Sequence, residues 1–323
     1  TNAFVIDIKD ERLAYESNVA RELCPTAYDW AYTSMDVYKK AVQEIKDAGI
    51  YTIGRIVVFS DEDYADDHPE DCIESVYSGG QWPSAFDRDV WEYNVKLAVE
   101  AVEELGFDEI QLDYVRFPES SWQMSENDPD VDFKNQYGEE KAQAVQGFIF
   151  YAADKIHEAG AYLSVDVFGE CAGEYVTAYG QYWPAISNIV DAISGMPYTD
   201  HYGETDTWSY PYNIMATFAS MAAERQKEIP TPAIVRTWIT GYDTPNWDPV
   251  VVYDEEKLVD QITALYDYGL DGGFIPWHGA SNINKYWQYA GIWSRDYKSS
   301  TAGGETVTPD EAQEEEQPET DEQ

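Results

Sequence analysis

Cysteine, histidine and positive charge are all scarce in this chain, and each shortage removes a class of function. Three cysteines, Cys24, Cys72 and Cys171, are an odd number without CxxC spacing, which argues against a dense disulfide framework or a cysteine-built zinc site. A single Cys24 to Cys72 bridge stays open. The four histidines form no HExxH pattern, and P-loop, GxSxG and GxGxxG patterns are also missing, which removes zinc peptidases, NTPases, serine hydrolases and simple dinucleotide enzymes. Against 62 Asp and Glu stand only 20 Lys and Arg, for a formal net charge of -42. Such a surface repels phosphate backbones and anionic lipid, so no nucleic-acid or membrane-surface partner is expected. A neutral or cationic substrate is compatible with it. No apolar run approaches the ~20 residues that span a bilayer. The chain begins within a strand at Thr1 without an initiator Met, which fits a trimmed N-terminus and an extracellular or cell-surface location.

What the chain does have is core material, with 44% hydrophobic residues, 26 Tyr and 11 Trp. Most of the tyrosines fill the core and helix surfaces; a surplus of exposed rings suits a sugar-binding cleft. Strand-like runs recur at 3–8, 51–59, 109–115, 162–168, 189–194, 233–239 and 273–277. They alternate with helical periodicity at 37–48, 91–105, 139–159, 212–228 and 255–268. Each crossover returns the chain in the same direction, so the sheet is parallel. Length and the number of units favour a closed α/β barrel of the TIM type, (β/α)8, over an open doubly wound sheet. Seven strands are one short of eight, and the expectation is that the missing unit precedes Thr1. One domain, 1–298, is expected, followed by an acidic, aromatic-free tail or linker over 299–323, in which nine acids and no base lie between Glu305 and Glu322.

The segment GFDEIQLDYVRFP, 106–118, buries a strand and ends it on Asp113, Tyr114 and Arg116. In a parallel barrel the loops at the strands' C-terminal ends build the active site. The arrangement recurs at AFVIDIKD, with Asp7 and Lys9, and at YLSVDVFG, with Asp166. Each Asp alone also fits a capping role at a strand-to-helix turn; three at one end of the sheet weaken that alternative. A calcium-loop-like run, Asp128, Asp130 and Asp132 with Glu139, has Phe133 where that loop requires glycine, so it reads as a solvated acidic loop. No metal and no cofactor is called for. The long segments 60–88 and 119–138 are expected to form cleft walls.

Five blocks, IDIKD at 6–10, IGRIVVF at 53–59, GFDEIQLDYVRFP at 106–118, SVDVFG at 164–169 and GGFIPWHGASN at 272–282, together resemble the bacterial glycosyl hydrolase-like domain family long catalogued as a domain of unknown function. The resemblance runs in the family's block order from Asn2 to about Tyr286, and it implies a TIM-type barrel related to glycoside hydrolases. Three departures bear on specificity: the family's opening RGIYVT-like strand is missing, its MVYPSHY-like stretch reads MPYTDHY at 196–202, and its RPWLQDF-like strand reads RTWITGY at 236–242.

Glycoside hydrolysis uses two carboxyl groups. The expected pair is Asp113, as nucleophile or base, and Asp166, as acid, with the reverse assignment open. Arg116 either returns to the site, where its charge keeps a carboxylate ionised, or bridges barrel loops. Asp7 and Lys9 are expected to contact sugar hydroxyls or tune the pair. The remaining substrate-binding candidates are Arg55, Tyr114, Tyr198, His201, Tyr202, Arg236, Trp238, Trp277 and His278. Trp277 is a platform for a pyranose face, and the histidines also fit structural roles. Three functions compete: a polysaccharide hydrolase, a barrel that binds glycan without cleaving it, and a surface scaffold with a vestigial cleft.

Overall fold

The computed structural model describes residues 2–77, 81–125, 127–202, 207–278, 281–293 and 295–298. The expected tail at 299–323 lies outside these residues.

Strand and helix alternate as the periodicity predicts. The strands are β1 (Ala3–Lys9), β2 (Tyr51–Val57), β3 (Glu74–Ser75), β4 (Glu109–Asp113), β5 (Val131–Asp132), β6 (Tyr162–Phe168), β7 (Ala192–Met196), β8 (Ile234–Val235), β9 (Thr237–Thr240) and β10 (Phe274–Trp277). Parallel pairing runs β1-β2-β4-β6-β7-β8, and β9 pairs in parallel with β10. The segments β8 and β9 are one strand parted at Arg236. Its N–H bonds Ile193 at 3.0 Å, while that of Thr237 bonds Gly273 at 3.4 Å, so the chain leaves one neighbour for the next within a residue. Seven parallel positions result. Among the described residues no ladder joins β10 to β1.

Burial follows position in this sheet. Every residue of β4 is buried, whereas β1 and β10 retain exposed or half-buried positions, as strands with a neighbour on one side do. The long helices Met35–Asp47, Arg88–Glu100, Lys141–Ala159, Pro211–Lys227 and Glu255–Asp267 carry the crossovers. Acids open several of them: Asp87 caps through the N–H of Asp89 at 2.8 Å, and Asp254 through that of Lys257 at 3.2 Å. Gly106, at φ 75°, and Gly160, at φ 95°, close the helical stretches before β4 and β6; a left-handed residue there turns the chain back to the next strand start.

Short helices at Asn18–Leu23, Pro25–Asp29, Glu62–Asp67, Trp183–Ser187 and Ile283–Gln288 were not predicted, being too brief to show a period. The two long segments expected as cleft walls meet each other. β3 and β5 pair antiparallel, Ser84 Oγ donates to Phe133 O at 2.6 Å, and Arg88 grips both oxygens of Glu139 at 2.8 and 2.7 Å. Glu139 is therefore committed to an ion pair, and Asp132 to Lys134 at 3.1 Å. All three cysteines are free, buried thiols, which corrects the Cys24 to Cys72 alternative.

Candidate active site

Side chains alternate across a strand, so Glu109, Gln111 and Asp113 lie on one face of β4 at three successive depths. Register places partners beside each: Arg55 of β2 is opposite Gln111, and Ser164 of β6 is its neighbour on the other side. Three polar layers follow.

The deepest layer, at the strands' N-terminal end, centres on Glu109. It pairs with Arg236, accepts from Ser164 Oγ at 2.5 Å, and accepts from the Tyr51 hydroxyl at 3.1 Å. Arg236 is thus spent at the opposite end of the sheet from the strand-end acids. In the middle layer Gln111 Nε2 donates to Ser194 Oγ at 3.4 Å.

The layer at the C-terminal ends holds the expected acids. Asp113, 5% exposed, accepts from Arg55 Nε at 3.1 Å and Nη2 at 2.7 Å on one oxygen, and from the N–H of Tyr114 at 2.7 Å on the other. Tyr114 has φ 52°, a left-handed conformation that costs a residue with a side chain about 1–3 kcal/mol. It turns the backbone N–H back onto the carboxylate. The same guanidinium reaches Asp7 at 2.8 Å and Asp10 at 3.2 Å, so one arginine joins three carboxylates from the ends of β1 and β4. Burial opposes its charge, but Asp113, Asp7 and Asp166 outweigh that and push its pKa up.

Asp166 differs from Asp113. It is 0% exposed; one oxygen accepts from Trp238 Nε1 at 2.8 Å, and the other has no hydrogen-bond partner. Burial first, and then the charge of Asp113, push its carboxyl well above the usual carboxylate range, against the pull of Trp238, Arg55 and Arg236. Tyr198 lies in the same field: burial, Asp166 and Asp113 raise its hydroxyl pKa.

Above the acids stands a wall of rings. Tyr198 meets Trp277 at 5.2 Å and His201 at 5.3 Å, and Tyr242 meets Trp277 edge-on at 5.0 Å. Trp277 remains 40% exposed, so it still offers a face to solvent. Two residues outside the expected set belong here: Tyr242, whose hydroxyl donates to Asp200 at 2.5 Å, and Asp200 itself. Their position just past β9 and β7 was the available signal.

Other candidates are placed elsewhere. A bulge between Asp7 and Lys9 shifts the register of β1 against β2, and the Lys9 ammonium is buried among Asp61, Asn94 at 2.8 Å and the Tyr93 ring. It neither reaches Asp113 nor faces the cleft. Arg116 forms no salt bridge to another barrel loop among the described residues: its ion pair is with Glu119, three residues along the same loop, at 3.1 Å, and its guanidinium lies against the rings of Phe168, Tyr114, Trp82 and Tyr179. Burial lowers its pKa, with Glu119 acting in the other direction. The positive charge on Asp113 is supplied by Arg55. Tyr202 packs over Gly169, where a Cβ would meet its hydroxyl at 2.2 Å, and His278 meets Tyr286 at 6.4 Å. Among the described residues no group of three or more His, Cys, Asp or Glu side chains gathers as a metal site.

The match that decides the family covers residues 1–285, under the description "Putative glycosyl hydrolase domain". The chain belongs to this family. Among curated proteins no relative matches. Among solved structures, a hypothetical protein from Ruminiclostridium thermocellum is 33% identical, over 51% of this chain and 83% of that one, with a TM-score of 0.41. The glycoside hydrolase domain of PgaB (BpsB) from Bordetella bronchiseptica is 13% identical over 80% of each chain, with a TM-score of 0.59. A class V chitinase from Pseudomonas fluorescens is 14% identical over 82% of this chain and 85% of that one, with a TM-score of 0.52. The fold of this domain is shared with both of these hydrolases.

Proposed function

We propose that the protein is a glycoside hydrolase that cleaves a polysaccharide with Asp113 and Asp166 as its paired carboxyl groups. The observation that carries this reading is the contrast between the two acids at adjacent strand ends. Asp113 meets three N–H donors, the surroundings of an anion, while Asp166 is dry, faces a negative neighbour and has an oxygen free to carry a proton. Environments that drive two acids apart in this way define a base and an acid. Asp113 attacks the anomeric carbon or activates water, and Asp166 protonates the departing glycosidic oxygen. Trp277, Tyr198 and Tyr242 bound the space in which a sugar ring would stack. Asp7, through Arg55, is a positioning residue for Asp113. The chemistry needs no cofactor, and polymeric substrate fits an extracellular or cell-surface location; no helix among the described residues is long and apolar enough to cross a membrane.

One observation favours a second reading, a barrel that binds glycan without cleaving it: Asp166 has no exposed surface, so the side chains that cover it must give way before it touches substrate. A product screen against α- and β-linked polysaccharides separates the two. Oligosaccharides released by the wild type and lost in both Asp113→Asn and Asp166→Asn support hydrolysis; tight glycan binding with no product after long incubation supports the second reading.

A further inference from the structure

Beside the carboxylate pair, on the same end of the sheet, lies an open cleft of about 450 Å³ lined by Glu119, Trp122, Phe168, Glu170, Glu174 and Tyr175, among others. It adjoins the catalytic strand directly, since Phe168 and Glu170 follow Asp166 by two and four residues. Two features of its lining are unusual for an idle surface. Trp122 is 72% and Tyr175 81% exposed, large rings held in water with no ring contact among the described residues. Around them stand three carboxylates and no lining base.

Arg116, whose guanidinium lies against Phe168 and Tyr179 of this lining, is buried and already paired with Glu119. Glu170 accepts the Tyr179 hydroxyl and has no ion pair among the described residues, and Glu174 has no partner among them. Two carboxylates are therefore left without a countercharge beside two open ring faces. Exposed Asp7 and Asp10 extend the negative field across the same end of the barrel. A ring face accepts the apolar side of a pyranose, and a ring quadrupole also attracts a cation.

We infer that this cleft is a subsite for a cationic glycan, a polymer whose sugars carry free amines. The inference rests on the glycan-hydrolase reading for its polymer and extends it to the class of sugar. Carboxylates near the rings attract a protonated amine through its charge, whereas an acetamide N–H or a hydroxyl offers them only a neutral donor, so discrimination falls between otherwise identical sugars. Because the cleft is open, salt screens the attraction, with a Debye length of about 8 Å at physiological ionic strength.

The test is calorimetric titration of the full chain with a β-1,4-linked glucosamine pentamer, its fully N-acetylated counterpart and cellopentaose, at a pH where the amines are protonated. The expected result is at least about tenfold tighter binding of the amine form, a preference that shrinks on raising salt. Glu174→Gln, a substitution on an exposed loop, is expected to cut that preference about threefold. Tyr175→Ala weakens all three ligands together. Equal affinity for the three, no binding of any, or a preference that survives Glu174→Gln and high salt overturns the inference. Its failure is distinct from that of the hydrolase reading: cleavage of a neutral glycan with the amine pentamer ignored overturns only this inference. Amine-selective binding without cleavage of any glycan upholds it and overturns the hydrolase.

Discussion

Glu109 and Asp113 stand four residues apart on the same face of β4, both buried and each paired with an arginine, yet they occupy opposite kinds of surroundings. Around Glu109 both oxygens are taken by an arginine fork, a serine and a tyrosine, all within one layer. Around Asp113 the arginine is divided among three carboxylates, the next residue is strained, and the neighbouring Asp166 keeps an unpartnered oxygen. In the lower cluster both oxygens of the acid are satisfied, and the buried atom left without a partner is Arg236 Nε, on the cation, as suits a group that holds strands together. Its upper counterpart is left incomplete, and an incomplete buried polar site persists where substrate completes it. Under the proposed function the same strand separates stability at its N-terminal end from chemistry at its C-terminal end, the division that parallel barrels follow in general.

The largest expected effect would sharpen that division. Asp113→Asn should lower glycan hydrolysis by at least about a thousandfold while costing less stability than loss of the Glu109 charge, since Arg55 keeps Asp7 and Asp10. Glu109→Gln should do the reverse. It breaks a buried ion pair and leaves Arg236 uncompensated, at a cost of about 3–5 kcal/mol, while activity per folded molecule holds. Denaturant melts beside initial rates give both numbers. A Glu109→Gln protein that is stable but inactive would break the comparison.

Much of this architecture was legible from the chain, and the exceptions have identifiable causes. The inner parallel strands show as apolar runs because burial on both faces demands it, β1 and β10 keep enough apolar residues to be read beside them, and the three strand-end acids show because polar residues interrupt those runs. Depth within the sheet was less legible. Arg236 and Trp238 sit two residues apart on one segment, and only the pairing with β7 and β10 sends the first to Glu109 and the second to Asp166. A one-residue bulge after Asp7 turned Lys9 away, which no pattern of residue types announces. Arg116 was the candidate to serve a catalytic carboxylate and Arg55 a candidate for substrate, and long side chains decide such questions by reach rather than by spacing. The ring wall was half visible: Tyr198 and Trp277 end strands, whereas Tyr242 and Asp200 lie in loops whose return path periodicity cannot follow.

A smaller effect distinguishes the two upper acids by pH. The folded-state pKa of Asp166 lies above its unfolded value, so folding binds its proton more tightly. Its contribution to stability is therefore full below the unfolded pKa, near the ordinary carboxyl value of 3.8, and is lost as pH rises towards the folded value. Asp166→Asn removes that loss. The variant should melt higher than wild type by about 2 °C or more at pH 8, with the gap narrowing at pH 4. A gap that is constant with pH would mean that folding does not raise the Asp166 carboxyl.

Next in size is Trp238→Phe, which deletes the one donor to Asp166 and leaves a buried carboxyl unpartnered, at about 1–3 kcal/mol. Because that N–H favours the ionised form, its loss should also move the alkaline limb of the pH–rate profile upward. Least affected should be Arg116→Lys. It gives up planar stacking on four rings but keeps the charge beside Glu119, and kcat should change less than about threefold. A tenfold loss would return Arg116 to the catalytic group beside Arg55.

The central claim is that one end of β4 works and the other end holds. Its most direct test is oligosaccharide release from a panel of polysaccharides by wild type, Asp113→Asn and Glu109→Gln, each normalised to folded protein. The account predicts product from wild type and Glu109→Gln and none from Asp113→Asn. Equal release by wild type and Asp113→Asn would contradict it.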